Sequence, residues 1–234
     1  MKYKNMVGQN LKGLIKLICW LALGFISVSL FLVLIFKWIN PPSSAVIVVW
    51  EWTSNQTAEH TWQSIDNISP NLQLAVIASE DQKFPNHFGF DVESLKKALS
   101  EKRGKPRGAS TITQQVAKNL FLWNGRSYVR KGLEAWFTLL IECFWSKERI
   151  LEMYVNIAEF GKGVYGAEAA AQVFYGVSAK NLNNWQSGLL AAVLPSPKKM
   201  SAKNPSSYVQ SRAADINQSV VNLGGKAYLD NLTR

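Results

Sequence analysis

A mainly α domain preceded by one N-terminal transmembrane helix is the fold class this sequence predicts. Three observations carry the prediction. Residues 17–36 read LICWLALGFISVSLFLVLIF without a single charge. Beyond them, the punctuation is that of helix starts rather than of alternating strands. The 234 residues leave room for one anchor and one globular domain of ordinary size.

The apolar run comes first. About 20 helical residues at ~1.5 Å rise match a hydrocarbon layer of ~30 Å, so residues 17–37 are expected to span a bilayer. A cleaved signal peptide or a buried core helix would also be apolar. The run is longer than a signal h-region, however, and no small-residue cleavage site follows it. Lys2, Lys4, Lys12 and Lys16 precede it with no acidic residue among them. Positive charge stays inside, so residues 1–16 are placed in the cytoplasm and everything after Lys37 outside.

The whole chain carries a formal charge of +10. Five of its 26 Lys and Arg lie at or before Lys37, which leaves 21 against 16 acidic residues in the external part, a balance of about +5. Such a balance suits anionic lipid surfaces or phosphorylated ligands. Nucleic acid is not expected as a partner outside the membrane. Cys19 lies in the membrane run and Cys143 in an apolar helical stretch, so the two are expected not to pair and to serve packing.

Residues 38–68, with Pro41, Pro42 and the polar run Thr53–Thr57, read as a linker with one short strand at Val46–Val49. From residue 69 to 234 one domain is expected. Ser69-Pro70 supplies an N-cap with a first-turn proline, Thr111 with Gln114 fits a capping box, and Ser127 and Ser146 stand before periodic apolar runs. No repeat or second linker divides the stretch. Residues 205–234 are polar enough to form a peripheral helix and tail.

Three segments can carry chemistry. The first, from Glu80-Asp81 to His87 and Gly89, follows a helix whose Leu72, Leu74, Ala75, Val76 and Ile77 should bury it. A carboxylate beside apolar neighbours has its charged form disfavoured, which tunes Glu80 to take a proton from a sugar hydroxyl. A solvated helix end would show the same pair. The second is a small-residue loop, Gly108-Ala109-Ser110, opening at Thr111 onto a helix with Gln114, Gln115, Lys118 and Asn119. Its free N–H groups, hydroxyls and Lys118 suit an anion. Capping alone explains the hydroxyls but not the two glutamines, the lysine and the asparagine.

The third is Arg126, Arg130 and Glu134, spaced by four along one helix face with Lys131 beside them. Guanidinium forks bind phosphate oxygens, and with Lys118 they would stabilise a departing pyrophosphate. An exposed Arg130–Glu134 pair, worth ~0.3–0.5 kcal/mol, fits the spacing equally well. Lys147–Asn156 reads as an amphipathic helix, and Gly163–Ala171 as a tight turn into a close-packed one.

In this order, EDQKFPNHFGFD from Glu80, GASTITQQVAKNLF from Gly108, RKGLE from Arg130, ILEMYVN from Ile150 and GVYGAEAAAQVFYG from Gly163 resemble the monofunctional biosynthetic peptidoglycan transglycosylases. They equally resemble the glycosyltransferase domain of bifunctional penicillin-binding proteins. The resemblance runs from about Ser69 to Arg212. It implies a lysozyme-like glycosyltransferase domain that polymerises lipid II with inversion at the anomeric carbon. The growing lipid-linked glycan strand is then the donor and an incoming lipid II the acceptor.

By the same resemblance Glu80 is the base for the acceptor's 4-hydroxyl, and Glu134 lies near the donor pyrophosphate or its metal. Lys118, Arg126 and Arg130 hold the pyrophosphate, and Ser110, Gln114 and Gln115 belong to the same wall. The family implies a divalent cation, Mg or Mn, carried on the pyrophosphate, since no His or Cys cluster marks a metal site. It also implies the bacterial cytoplasmic (inner) membrane with the domain on its outer, periplasmic face, and partners among cell-wall synthesis or division proteins. Phe121-Leu122-Trp123 with Trp136 and Phe137 resembles the membrane-dipping part of this fold, although ordinary core would look the same.

Ser94-x-x-Lys97 and Ser196-x-x-Lys199 match an acylating Ser-x-x-Lys, but SDN and KTG partners are absent and the chain ends too soon for a transpeptidase domain, so both are read as chance. A lytic enzyme on a lysozyme-like fold is the nearest rival. Cleavage of a glycosidic bond needs a proton donor, whereas a leaving pyrophosphate needs cations, and the cations argue for synthesis. A noncatalytic anchored scaffold would bind lipid pyrophosphate without turnover.

Overall fold

The computed structural model describes residues 2–93, 96, 110–125 and 127–232, with side chains from residue 12 onward. Arg126, the Gly108-Ala109 pair, the 101–107 stretch and the Ser94-x-x-Lys97 match lie outside the described residues. The chain forms two compact units, residues 1–40 and 41–234.

The first unit is the helix α1, Lys2–Phe36. Its stretch Lys12–Phe36, 25 residues, is long and apolar enough to cross a membrane. Cys19 is free and faces outward.

In the second unit the described helices are α2 (Ala45–Ser54), α3 (Pro70–Glu80), α4 (Ile112–Phe121), α5 (Tyr128–Phe144), α6 (Lys147–Ile157), α7 (Ala167–Tyr175), α8 (Asn184–Val193) and α9 (Ser207–Asn222). Short strands β1 (Glu59–His60), β2 (Glu159–Gly161) and β3 (Val164–Tyr165) form one small sheet in the order β1-β3-β2. β1 runs parallel to β3, pairing Glu59 with Val164, and β2 runs antiparallel to it.

The caps lie where the sequence puts them. Ser69 accepts from Asn71 N–H ahead of Pro70, Ser127 from Arg130 N–H, and Ser146 from Arg149 N–H. Thr111 and Gln114 close a reciprocal capping box at the start of α4. Each satisfies backbone donors that a helix start leaves open.

The expected linker and strand are corrected. Residues 45–54 are helical, capped by Ser44 and ended by Asn55 in the left-handed region (φ 54°). Val46, Ile47 and Trp50, spaced to share one helix face, bury against Tyr165, and the Trp50 and Tyr165 rings meet edge to face at 6.2 Å. Burying that face overrides the strand preference of the β-branched run Val46-Ile47-Val48-Val49. Gly163 permits the approach: it sits at φ +76°, and a Cβ there would lie 2.5 Å from the Trp50 ring.

α3 packs against α8 and α9, while α4 packs against α5 and α6. Leu72, Val76 and Ile77 of α3 and Ile150, Leu151 and Met153 of α6 are fully buried. The C-terminal helix is therefore not peripheral: α9 buries Val209, Ala213 and Ile216, and a 3-10 stretch follows at Gly225–Leu232. Gly166 turns the chain into α7 at φ +85°, where a Cβ would meet Asn156 O at 2.7 Å. Cys143 is free and exposed, so its expected packing role is not observed.

Candidate active site

The first motif is stitched to the second by backbone contacts that follow from the capping chemistry. Asp81, 7% exposed, accepts from Ile112 N–H at 3.0 Å, the first residue of α4, and meets His87 Nε2 at 2.8 Å. Thr111 Oγ1 donates to Gly89 O at 2.6 Å, and Lys147 Nζ donates to His87 O at 2.7 Å. Gly89 sits at φ +74°, with Thr138 and Glu142 of α5 so close that a Cβ would clash at 2.6 Å and 2.9 Å. Asp81 is therefore a clamp between α3 and α4.

Glu80 ends α3 beside this clamp. Gln115 Nε2 donates to its Oε2 at 2.7 Å, and Tyr154 Oη donates to Gln115 Oε1 at 3.3 Å. Burial pushes the Glu80 carboxyl above its ordinary value, and Asp81 adds to the rise. The Gln115 hydrogen bond and the charges of Arg212 and Lys118 pull the other way without cancelling it. Glu80 is thus half-buried and hydrogen-bonded rather than a freely solvated helix end.

The consecutive glutamines divide the work. Gln114 is engaged by the cap, its Oε1 accepting from Thr111 N–H at 3.0 Å. Gln115 reaches the carboxylate. Ser110 is exposed immediately before the α4 N-cap.

Glu134 is 3% exposed on α5. Arg130 donates from Nη1 to Glu134 Oε2 at 2.8 Å and from Nε to Gly125 O at 2.7 Å, while Lys131 pairs with Glu134 Oε1. The exposed i,i+4 pair that the spacing permitted is instead a buried carboxylate with a cation on each oxygen. Lys118 projects from α4 into the same region. Burial lowers its pKa, Glu134 and Glu80 raise it, and Arg130 and Lys131 oppose them. Lys118 is half-buried, and among the described residues its ammonium has no hydrogen-bond or ion-pair partner.

A cleft of ≈ 210 Å³ runs past Gln115, Lys118 and Tyr154 towards Tyr165, Glu159 and Val46. Burial raises the Glu159 pKa, and Lys198 lies 3.8 Å away at the rim. Among the described residues no three His, Cys, Asp or Glu side chains converge to hold a metal. Among the described residues both oxygens of Glu134 are taken, one by Arg130 and the other by Lys131.

The aromatic patch splits in two. Phe121 stacks on Phe137 at 4.4 Å, and Leu122 and Phe137 are buried, as core residues are. Trp123, Tyr128, Val129 and Leu139 instead stand exposed.

Sequence reasoning did not find Tyr154, Arg212 or the clamp role of Asp81. Tyr154 lies in a segment read as an amphipathic helix and in the ILEMYVN motif, without a role assigned to it. Arg212 lies in a helix read as peripheral, and nothing in its spacing points to Glu80.

The transglycosylase family model matches residues 48–221. Proteins named "Biosynthetic peptidoglycan transglycosylase" are similar over nearly the whole chain. That of Pseudomonas putida strain W619 is 53% identical over 234 residues, covering 97% of this chain and 98% of its own. That of Pseudomonas entomophila strain L48 is 52% identical with the same coverage. That of Xanthomonas campestris pv. campestris strain B100 is 52% identical over 213 residues, covering 88% and 87%. The mainly α, lysozyme-like domain expected from the motifs is the fold of this group. A match this long and this close has one reading: the chain belongs to the transglycosylase family, with the biosynthetic peptidoglycan transglycosylases.

Proposed function

We propose that this protein is a peptidoglycan glycosyltransferase that polymerises lipid II into β-1,4 glycan strands. The observation that carries the reading is a half-buried Glu80, its carboxyl raised above the ordinary value and bonded to Gln115, beside the cation Lys118, which lines the cleft with Gln115, and near Arg130, which Glu134 holds. Glu80 takes the proton from the acceptor's 4-hydroxyl. The oxygen attacks the donor's anomeric carbon from the face opposite the lipid pyrophosphate, the new C–O bond forms as the bond to pyrophosphate oxygen breaks, and the configuration inverts.

The leaving polyprenyl diphosphate departs as an anion and needs no proton donor. It needs positive charge, which Lys118 and Arg130 supply in a partly dry site, joined by Arg126 on the strength of the family resemblance. Glu134 holds Arg130 and Lys131 in place for that task. A Mg or Mn ion arriving on the pyrophosphate would add charge neutralisation, and no step above is routed through it.

The anchor reading completes the picture. With α1 spanning the bacterial inner membrane and its lysines in the cytoplasm, the domain faces the periplasm, where lipid II presents its sugars. The exposed Trp123, Tyr128 and Val129 would meet the lipid surface, and cell-wall synthesis or division proteins are the partners that location offers.

The test is polymerisation of labelled lipid II by the detergent-solubilised full chain, beside Glu80→Gln. Polymer from the wild type and none from the variant is the expected result. Cleavage of preformed strands without polymer would replace synthesis by lysis, and lipid II binding without turnover would leave only a scaffold.

A further inference from the structure

An amide has one donor end and one acceptor end, and a buried amide beside a carboxylate matters according to which end faces it. Gln115 turns its Nε2 to Glu80 Oε2 at 2.7 Å and its Oε1 to Tyr154 Oη at 3.3 Å. Rotated by half a turn, Gln115 would set its carbonyl oxygen against a carboxylate oxygen, two acceptors with no proton between them. Tyr154 is 1% exposed, on a helix whose Ile150, Leu151 and Met153 are fully buried, so its hydroxyl cannot wander. Burial and the nearby Glu80 and Asp81 charges hold its phenol well above its ordinary pKa, which keeps it a donor.

We propose that Tyr154 is a positioning residue for Glu80. Acting through Gln115, its hydroxyl locks the amide with the NH2 group towards the carboxylate. This assignment rests on the reading of Glu80 as the base. It has two consequences. The amide donor favours the ionised carboxylate, the form that accepts a proton, and it occupies Oε2. Oε1 has no hydrogen-bond partner among the described residues and is left for the acceptor hydroxyl.

Other groups face Glu80 and set the background against which the relay acts. Lys118 from α4 and Arg212 from α9 favour the charged form, and Asp81 opposes it. Asp81 is itself faced by Tyr228 of the C-terminal 3-10 stretch. α8, which also packs on α3, brings no titratable side chain. None of these touches the Gln115 amide among the described residues, so its orientation there is set by two groups, the Glu80 carboxylate that accepts from its Nε2 and the Tyr154 hydroxyl that donates to its Oε1.

The experiment compares wild type, Tyr154→Phe, Gln115→Leu and the double variant as full chains in detergent. Tyr154→Phe is expected to lower kcat about 3- to 10-fold with KM for lipid II unchanged, and to move the acid limb of the pH profile up by about 0.5 unit, the scale of one lost hydrogen bond. Gln115→Leu should do the same or more without touching the α6 core. Adding Tyr154→Phe to it should then cost nothing further, because the hydroxyl acts only through the amide.

Equal kcat and acid limb in Tyr154→Phe and wild type would overturn the proposal, as would additive losses in the double variant. A separate readout is the 13C titration of the Glu80 carboxyl, assigned by its absence in Glu80→Gln. An upward midpoint in Tyr154→Phe supports the relay and an unmoved one sinks it. If Glu80→Gln still polymerises, the base reading falls on its own, and the carboxyl midpoint still decides the relay.

Discussion

Glu80 and Glu134 are two carboxylates of one site, and their partners differ in kind. Glu80 accepts from a neutral amide, and its second oxygen is unpartnered among the described residues. Glu134 has Arg130 on one oxygen and Lys131 on the other. Glu80 is left electrostatically unfinished, and burial lifts its pKa, whereas Glu134 is saturated by its two cations. Side-chain type does not distinguish the two; their neighbours do.

If the contrast is right, the largest effect comes from Glu80→Gln. Loss of a positioned base lowers kcat by about 10²–10⁴-fold, read as lipid II polymerised per minute. The same change should stabilise the fold. The folded chain holds the Glu80 proton more readily than the unfolded chain does, so stability falls as pH rises from the ordinary 4.5 through the raised value. Above that window the variant should melt at a higher temperature than wild type, with a flatter pH dependence. A lower midpoint at neutral pH would mean the charge of Glu80 is needed by the fold.

Lys118→Met comes next. Removing a cation aimed at a pyrophosphate should cost kcat/KM roughly 10- to 100-fold, the worth of a charge-assisted hydrogen bond. Burial depresses the folded-state pKa of Lys118, so its charge opposes folding at neutral pH. The melting temperature should therefore hold or rise. A fall would show that Lys118 supports Glu134 rather than substrate.

Glu134→Gln should act in the opposite sense to Glu80→Gln on stability. It leaves Arg130 short of its carboxylate in a half-dry site, at a cost of roughly 1–3 kcal/mol in denaturant unfolding. Stability changes of the same sign in the two glutamate variants would erase the distinction between them. The smallest effect on catalysis is expected from Gly163→Ala. A side chain at φ +76° against Trp50 should lower stability by about 1 kcal/mol or more and leave turnover per folded molecule unchanged. A strong loss of turnover would tie α2 to the cleft through Val46.

Much of this was legible before coordinates. The N-caps at Ser69, Ser127 and Ser146 and the capping box at Thr111 are local chemistry, decided within three or four residues, and the structure shows each of them. Residues 45–54 were not legible, because their β-branched run favours a strand locally and the packing that rewards a helix, on Tyr165 and on α4, comes from far along the chain. Gln114 and Gln115 are identical letters that face different directions, one bound by its own helix start and the other by α3 and α6. Arg212 acts on Glu80 from a helix whose sequence is mostly polar, and no spacing rule joins residues that far apart.

The sequence by itself determined the apolar helix, the helical class, the family and the residues that bear charge, because these depend on composition, period and short-range hydrogen bonds. Tertiary structure alone decided which carboxylate is left wanting a proton and which is clasped by cations. It also decided that Asp81 clamps helices and that Tyr154 reaches Glu80 through Gln115. Those outcomes depend on desolvation and on distances of a few ångströms between helices far apart in the chain, and neither quantity exists until the core closes.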